Sequence, residues 1–222
     1  MVTFPDSYLV RVPPDWREVP ADYAELRRYQ QEMLNGFRTN EGWTRTAERR
    51  TEILFAQLRT LLRDAKVTYC AVFAGLSQDD ETSDPDLLLA GLAVSTVTRA
   101  DLDTDVPLTP DTILAAYSMD RESQVTATNV EAPSVVVLDE SGRAVRLVRL
   151  VDLGRVNGEA VQVFSETFMV PVADGEGVCV LQFTTPNLDD APLFSSLFRA
   201  IASTMRVLYE DTPTLPEGVG LS

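Results

Sequence analysis

The sequence predicts an α+β protein: an antiparallel β-sheet flanked by helices, in an α/β/α sandwich. Three observations point there. Apolar residues recur at helical spacing through residues 21–65, the period falls to two over most of the chain after Lys66, and an apolar strand leads into one more amphipathic helix near the end. With 222 residues, 45% of them apolar and 24% charged, the chain has enough material for one large core. The expected organisation is a single domain over residues 1–211 with a helical pair at 21–65, followed by a flexible tail at 212–222.

The first element, in "SYLVRVPPDW", is a short strand stopped by Pro13 and Pro14, with Trp16 just after the turn. Residues 21–37 place Tyr23, Leu26, Tyr29, Met33, Leu34 and Phe37 at helical spacing, with Gly36 close to the stop. A longer helix is expected from about Trp43 to Ala65, with Leu54, Leu58, Leu61, Leu62 and Ala65 on one stripe. "KVTYCAVFAGL" and "LLLAGLAVSTVT" then read as strands rich in β-branched residues, separated by the polar loop "SQDDETSDPD".

Thr109-Pro110-Asp111 is a helix start: a capping hydroxyl, a proline at the first helical position and a carboxylate at the positive end of the dipole. The short helix it opens covers "PDTILAAYSM". From Gln124 the pattern is an antiparallel meander, with "SVVVL" and "AVRLVRLVDL" flanking the turn "DESGR", and "EAVQVFSETFMVPV" and "VCVLQFTTP" flanking "ADGEG". The final helix aligns Leu193, Phe194, Leu197, Phe198, Ile201 and Met205 on one face. Burying four side chains of that size contributes roughly 6–12 kcal/mol before entropy.

Composition narrows the chemistry. There is no histidine, which removes Ser-His and Cys-His nucleophilic pairs, His-liganded zinc and imidazole proton shuttles. Lys66 is the only lysine beside 18 arginines, and arginine clamps anions but makes a poor base. Cys70 and Cys179 each sit in an apolar strand pattern and read as buried thiols, with a cross-strand disulfide as the alternative. No glycine-rich phosphate loop is present.

The net charge of −15 is unevenly spread: residues 1–66 carry 11 basic and 10 acidic side chains, and residues 67–222 carry 8 basic and 24 acidic. An acidic surface repels nucleic acid and anionic lipid, so the expected partner is protein, with no nucleic acid and no membrane insertion; a homodimer is compatible with this reading. No apolar run approaches the roughly 20 residues that span a bilayer, and the N-terminal stretch lacks the marks of a signal peptide, which reads as cytoplasmic.

"YLVRVPPDW" resembles the opening strand and Pro-x-x-Trp of the Mog/PsbP-like superfamily, and "FMVPVADGEGVCVLQFTTPNLDDAPLFSSLFRAIASTMRV" resembles its closing hairpin and strand-to-helix step. With "SGRAVRLVR", these stretches look particularly like LpqN-type and uncharacterised actinobacterial members. The resemblance covers the start and residues 124–208. It implies an α/β/α sandwich that binds more often than it catalyses. The helical pair at 21–65 occupies more sequence than a minimal member has, and so reads as an insertion carrying the specific function.

Candidate sites are few. Asp101, Asp103 and Asp105 alternate as in a calcium loop, but Val106 and Thr112 stand where an EF-hand has Gly and Glu, so the segment reads as a solvated acidic loop, as do Asp79, Asp80, Glu81, Asp84 and Asp86. Arg45, Arg49, Arg50, Arg59 and Arg63 share the second helix, and Trp43 stands at its start. Tryptophan and arginine dominate binding hot spots, which makes Trp43, Arg45, Arg49 and Arg50 the expected docking residues. The sequence-level expectation is therefore a non-catalytic cytosolic adaptor or protein-binding module with no cofactor and no metal. The alternatives are a chaperone or adaptor for secreted effectors, resembling Eag-type chaperones in fold, and a carboxylate-based or metal-dependent enzyme.

Overall fold

Period-two patterning from Val67 onward builds the sheet, and the flanking helices follow from stripes that only a sheet face can bury. The computed structural model describes residues 7–38, 44–77, 86–119, 127–156, 159–172 and 175–208. In chain order the elements are β1 (Ser7–Leu9), β2 (Trp16–Val19), α1 (Tyr23–Arg38), α2 (Arg45–Asp64), β3 (Val67–Ser77), β4 (Asp86–Thr98), α3 (Pro110–Met119), β5 (Ala127–Asn129), β6 (Ser134–Leu138), β7 (Gly142–Val156), β8 (Glu159–Pro171), β9 (Gly177–Thr185), α4 (Ala191–Ser203) and β10 (Arg206–Leu208). The tail at 212–222, Trp43, and Asp79 to Asp84 lie outside the described residues.

The main sheet is antiparallel, with strand order β2-β3-β4-β9-β8-β7 and with β5 and β6 both pairing the outer side of β7. A separate two-stranded ribbon joins β1 to β10, bringing the two ends of the described chain together. The long-range β4–β9 pairing, Gly91↔Thr184 to Thr98↔Gly177, fuses the early hairpin to the later meander.

One face carries α1, α2 and α3. Leu54 and Leu58 of α2 lie over Gly91, where a Cβ would meet Leu54 Cδ1 at 3.0 Å and Leu58 Cδ2 at 3.2 Å, so a side chain there would push the ends of both leucines out of their present packing. Leu26, Phe55, Cys70, Val72 and Leu89 complete that layer, and Ile113 of α3 packs on Val145, Leu147, Met169 and Val178. The opposite face carries α4 and the ribbon. Phe183 stacks on Phe198 at 4.8 Å and meets Trp16 and Phe168 edge-on at 6.4 and 6.1 Å. Phe194, Ile201, Ala202 and Met205 fill out this core.

Turn chemistry sets the registers. Gly142, at φ 80°, follows the three-residue turn between Leu138 and its partner Gly142. The Thr109 hydroxyl caps α3 by accepting from the Thr112 amide at 3.2 Å. Asp22 caps α1 by accepting from the Ala24 and Glu25 amides at 2.9 Å, and Thr44 caps α2 through Ala47 at 3.1 Å.

Three residues assigned to core stripes are corrected. Leu193 is 62% exposed and Tyr23 49% exposed, and Ala65 is exposed at the C-cap of α2. Each sits at the margin of its stripe, in the first or last turn, where a helix overhangs its sheet. The strands β2, β5 and β10 were not legible as strands; each has only three or four residues.

Candidate functional site

Arg45 is exposed in the first turn of α2, and Arg49 follows four residues on, half-buried. Arg50 takes a different direction: its Nη1 donates to the Leu87 carbonyl at 3.1 Å, tying α2 to the start of β4. Arg59 donates to the Gln30 side-chain oxygen and so braces α2 against α1; burial pulls its guanidinium below the ordinary arginine value. The expected docking set is thus divided, with Arg45 on the surface and Arg50 engaged in holding two elements together.

A charged network that sequence reasoning missed lies beneath α4. Arg146 of β7 and Glu166 of β8 project from the face that otherwise holds the aromatic core. Arg146 Nε donates to Glu166 Oε1 at 2.5 Å, Nη1 to Glu131 Oε2 at 2.6 Å, and Nη2 to the Ser195 hydroxyl of α4 at 3.2 Å. The side chains are 13% exposed for Arg146, 0% for Glu166 and 53% for Glu131. Burial pushes the Glu166 carboxyl above the ordinary carboxylate range, against the pull of Arg146. Burial also opposes the charge on Arg146, but the Glu166 and Glu131 carboxylates outweigh it and hold the guanidinium above its usual value. Glu166 Oε2 is buried without a hydrogen-bond partner in the structure. The arrangement fixes the rotation of α4 through Ser195.

The approach to α4 is also fixed by a buried amide. Asn187 is 2% exposed. Its Oδ1 accepts from the Leu89 amide at 3.0 Å and its Nδ2 donates to the Leu87 carbonyl at 2.9 Å, completing the β4 ladder with a side chain. Thr185 donates to the Leu89 carbonyl at 2.7 Å beside it.

The outward side of α4 differs from those of α1 and α2. It exposes Pro192, Leu193, Ser196, Arg199 and Ala200, a surface with one charge, in a protein whose other long helices carry Arg and Glu densely. Leu188, in the turn before it, is 40% exposed. A shallow depression of about 450 Å³ runs beside the helix, lined by Asp139, Glu140, Ser196, Arg199, Ala200, Ser203 and Thr204.

The remaining candidates hold the structure together. Asp101 accepts from Lys66 Nζ at 2.5 Å and from the Thr98 amide and hydroxyl at 2.9 and 2.8 Å, contacts that hold its carboxyl down at about 2. Among the described residues no group of three or more Cys, Asp or Glu side chains is placed to share a metal ion. Cys70 faces α2 and Cys179 faces α4, on opposite sides of the sheet, so both thiols are free. Burial pushes Cys70 up to about 12 and raises Cys179 as well, which makes both poor nucleophiles. On the α2/α3 face, Arg149 donates from Nε to the Asn129 side-chain oxygen at 3.2 Å and lies 5.1 Å from the Tyr117 ring centroid.

No family profile and no curated protein matches the sequence. Among solved structures the chain is similar to LpqN, described as involved in cell envelope biogenesis of Mycobacterium tuberculosis, at 14% identity and a TM-score of 0.43, over 91% of this chain and 83% of that one. No helix of the described residues is long and apolar enough to cross a membrane.

Proposed function

We propose that this chain is a non-catalytic protein-binding module and that the outward side of α4, with the adjoining depression, is its contact surface. The observation that carries the reading is the exposed Leu193, 62% accessible on a helix surface with one charge, beside the half-exposed Leu188. In a protein of net charge −15, a helix side left nearly uncharged is suited to being covered. The Mog/PsbP-like assignment belongs to the same proposal. The stretches that suggested it form β1, the turn into Trp16, and the β8–β9–α4 unit that builds this surface. A chaperone that shields a client on a sheet face is less well supported, because α1 to α3 occupy one face, and α4 with the ribbon the other.

Site-specific photocrosslinking in a lysate of the source organism tests the reading. A photoreactive residue replaces Leu193, Ala200 or Arg45 in separate variants. Adducts to one polypeptide from positions 193 and 200, abolished by Leu188→Glu, support the α4 surface. Adducts from position 45 alone move the contact to the basic side of α2. A protein that forms no adduct from any of the three is not the binding module described.

A further inference from the structure

The two edges of the main sheet are built differently. β2 is a four-residue strand carrying Arg17 and Glu18, preceded by Pro13 and Pro14 and followed by Pro20. Shortness, charge and proline are the usual means of keeping an edge from pairing with another chain. β6, "SVVVL", is also short, at five residues, and Pro133 precedes it, but the strand itself carries no charge and has three consecutive valines. It pairs β7 from Ser134↔Arg146 to Leu138↔Gly142, and among the described residues no strand pairs its other side. Val137 is 68% exposed, the highest value among the exposed large apolar side chains of the described residues.

Most of the charges around β6 face a partner within the chain. Glu131 pairs with Arg146, Arg143 with Asp111 at 3.0 Å, and Glu140 with Arg206. With Arg146 shared between Glu131 and Glu166, and with the exposed Asp139 beside β6, the edge keeps a small negative charge, while the three arginines around it lessen the repulsion that a second acidic molecule meets here.

We propose that β6 pairs antiparallel with β6 of a second copy, joining the two sheets across a two-fold axis. The sequence is self-complementary for this arrangement. With Val136 on the axis, Val135 of one copy lies opposite Val137 of the other, and Ser134 opposite Leu138. Just outside, Pro133 faces Asp139, Ala132 faces Glu140 and Glu131 faces Ser141, so no like charges stand directly opposite one another. Pro133 has no amide hydrogen to extend the ladder, which limits it to five residues. A ladder that short buries less than the roughly 1,200 Å² of a stable interface, so the dimer is weak and reversible. Because the two copies repel at long range, salt strengthens it.

Sedimentation equilibrium of the full chain over a concentration series, at low and high salt, tests the proposal. Wild type shows a monomer–dimer equilibrium that shifts toward dimer with salt, and hydrogen exchange at Val135 to Val137 slows as concentration rises. Val137→Lys, at a position already open to solvent, weakens association about tenfold, whereas Glu18→Lys on the opposite edge leaves the β6 contact intact. A wild type that stays monomeric to about 1 mM overturns the proposal. So does a Val137→Lys variant that associates as wild type does, with far-ultraviolet circular dichroism confirming that it is folded. A β6 edge found occupied by a different polypeptide overturns it as well.

Discussion

Replacing Arg146 with methionine keeps most of the side-chain volume and removes the charge that Glu166 faces. Glu166 is fully buried, and Arg146 is its charged partner at 2.5 Å. Removing one member of such a pair strands the other, at a cost of about 3–5 kcal/mol. Glu131, half-exposed to water, adds little to that figure. In a chain of this length the loss corresponds to a fall in Tm of about 6–20 °C. The pH dependence carries the sharper signature. Glu166 titrates above its ordinary value of 4.5 in the folded protein, so its contribution to stability is fully present below the unfolded value and is lost as pH rises through the folded one. Without Arg146 the folded value climbs further. The deficit of Arg146→Met is therefore small near about pH 4 and largest at neutral pH. Urea denaturation of wild type, Arg146→Met and the double variant Arg146→Met/Glu166→Leu, at several pH values, reads this directly. The double variant recovers most of the loss, because a packed apolar pair replaces a buried ionic one without penalty. An Arg146→Met deficit equal at acid and neutral pH, or below about 1 kcal/mol, refutes the argument that Glu166 is an ionised buried partner.

Three further outcomes follow from the packing. Asn187→Ala leaves the Leu89 amide and Leu87 carbonyl without their side-chain partners, and denaturation should show a loss of about 2–4 kcal/mol. Gly91→Ala drives a methyl into Leu54 and Leu58 at 3.0 and 3.2 Å; it should cost about 1–3 kcal/mol and speed hydrogen exchange in α2. Neither Cys70 nor Cys179 should react with an aromatic disulfide reagent at mildly alkaline pH until urea unfolds the chain, since burial raises both thiols; rapid labelling of the native protein would contradict their placement.

The long elements were legible because each repeats one period over many residues. "PDTILAAYSM" became α3 with the expected start and stop, and "SVVVL" and "AVRLVRLVDL" became β6 and β7 around the expected turn. Strand order was not legible, since nothing local in β4 announces that its second neighbour is β9, some 90 residues later. The candidate site was less readable still. Arg146 and Glu166 each interrupt the apolar register of a strand, Arg146 between Ala144 and Val148, Glu166 between Phe164 and Phe168. Two such interruptions of opposite sign in consecutive strands were a usable signal, but it only becomes a pair once register places Val148 opposite Glu166 and Arg146 opposite Phe168. Asn187 falls in the strand-to-helix step, and its spacing does not reveal that its amide finishes the ladder of β4, the strand beside β9.

These missed residues share a location, and it bears on what α4 does. Asn187 sets where the chain leaves the sheet, Arg146 sets the rotation of the helix through Ser195, and Phe194 and Phe198 set its depth. The apolar stripe of α4 sets which side of the helix meets the sheet, and directional bonds narrow the rotation that remains. Adding directional bonds at its entry and along one side leaves a single orientation, in which Leu193 and Ala200 point outward. A surface fixed in this way loses little conformational entropy when a partner covers it. The buried charge and amide that weaken the apolar core thus also make the outer side of α4 a preformed surface. On the proposed reading of α4, Arg146→Met should therefore lower the photocrosslinking yield from position 193 at neutral pH, even though Arg146 lies beneath the helix.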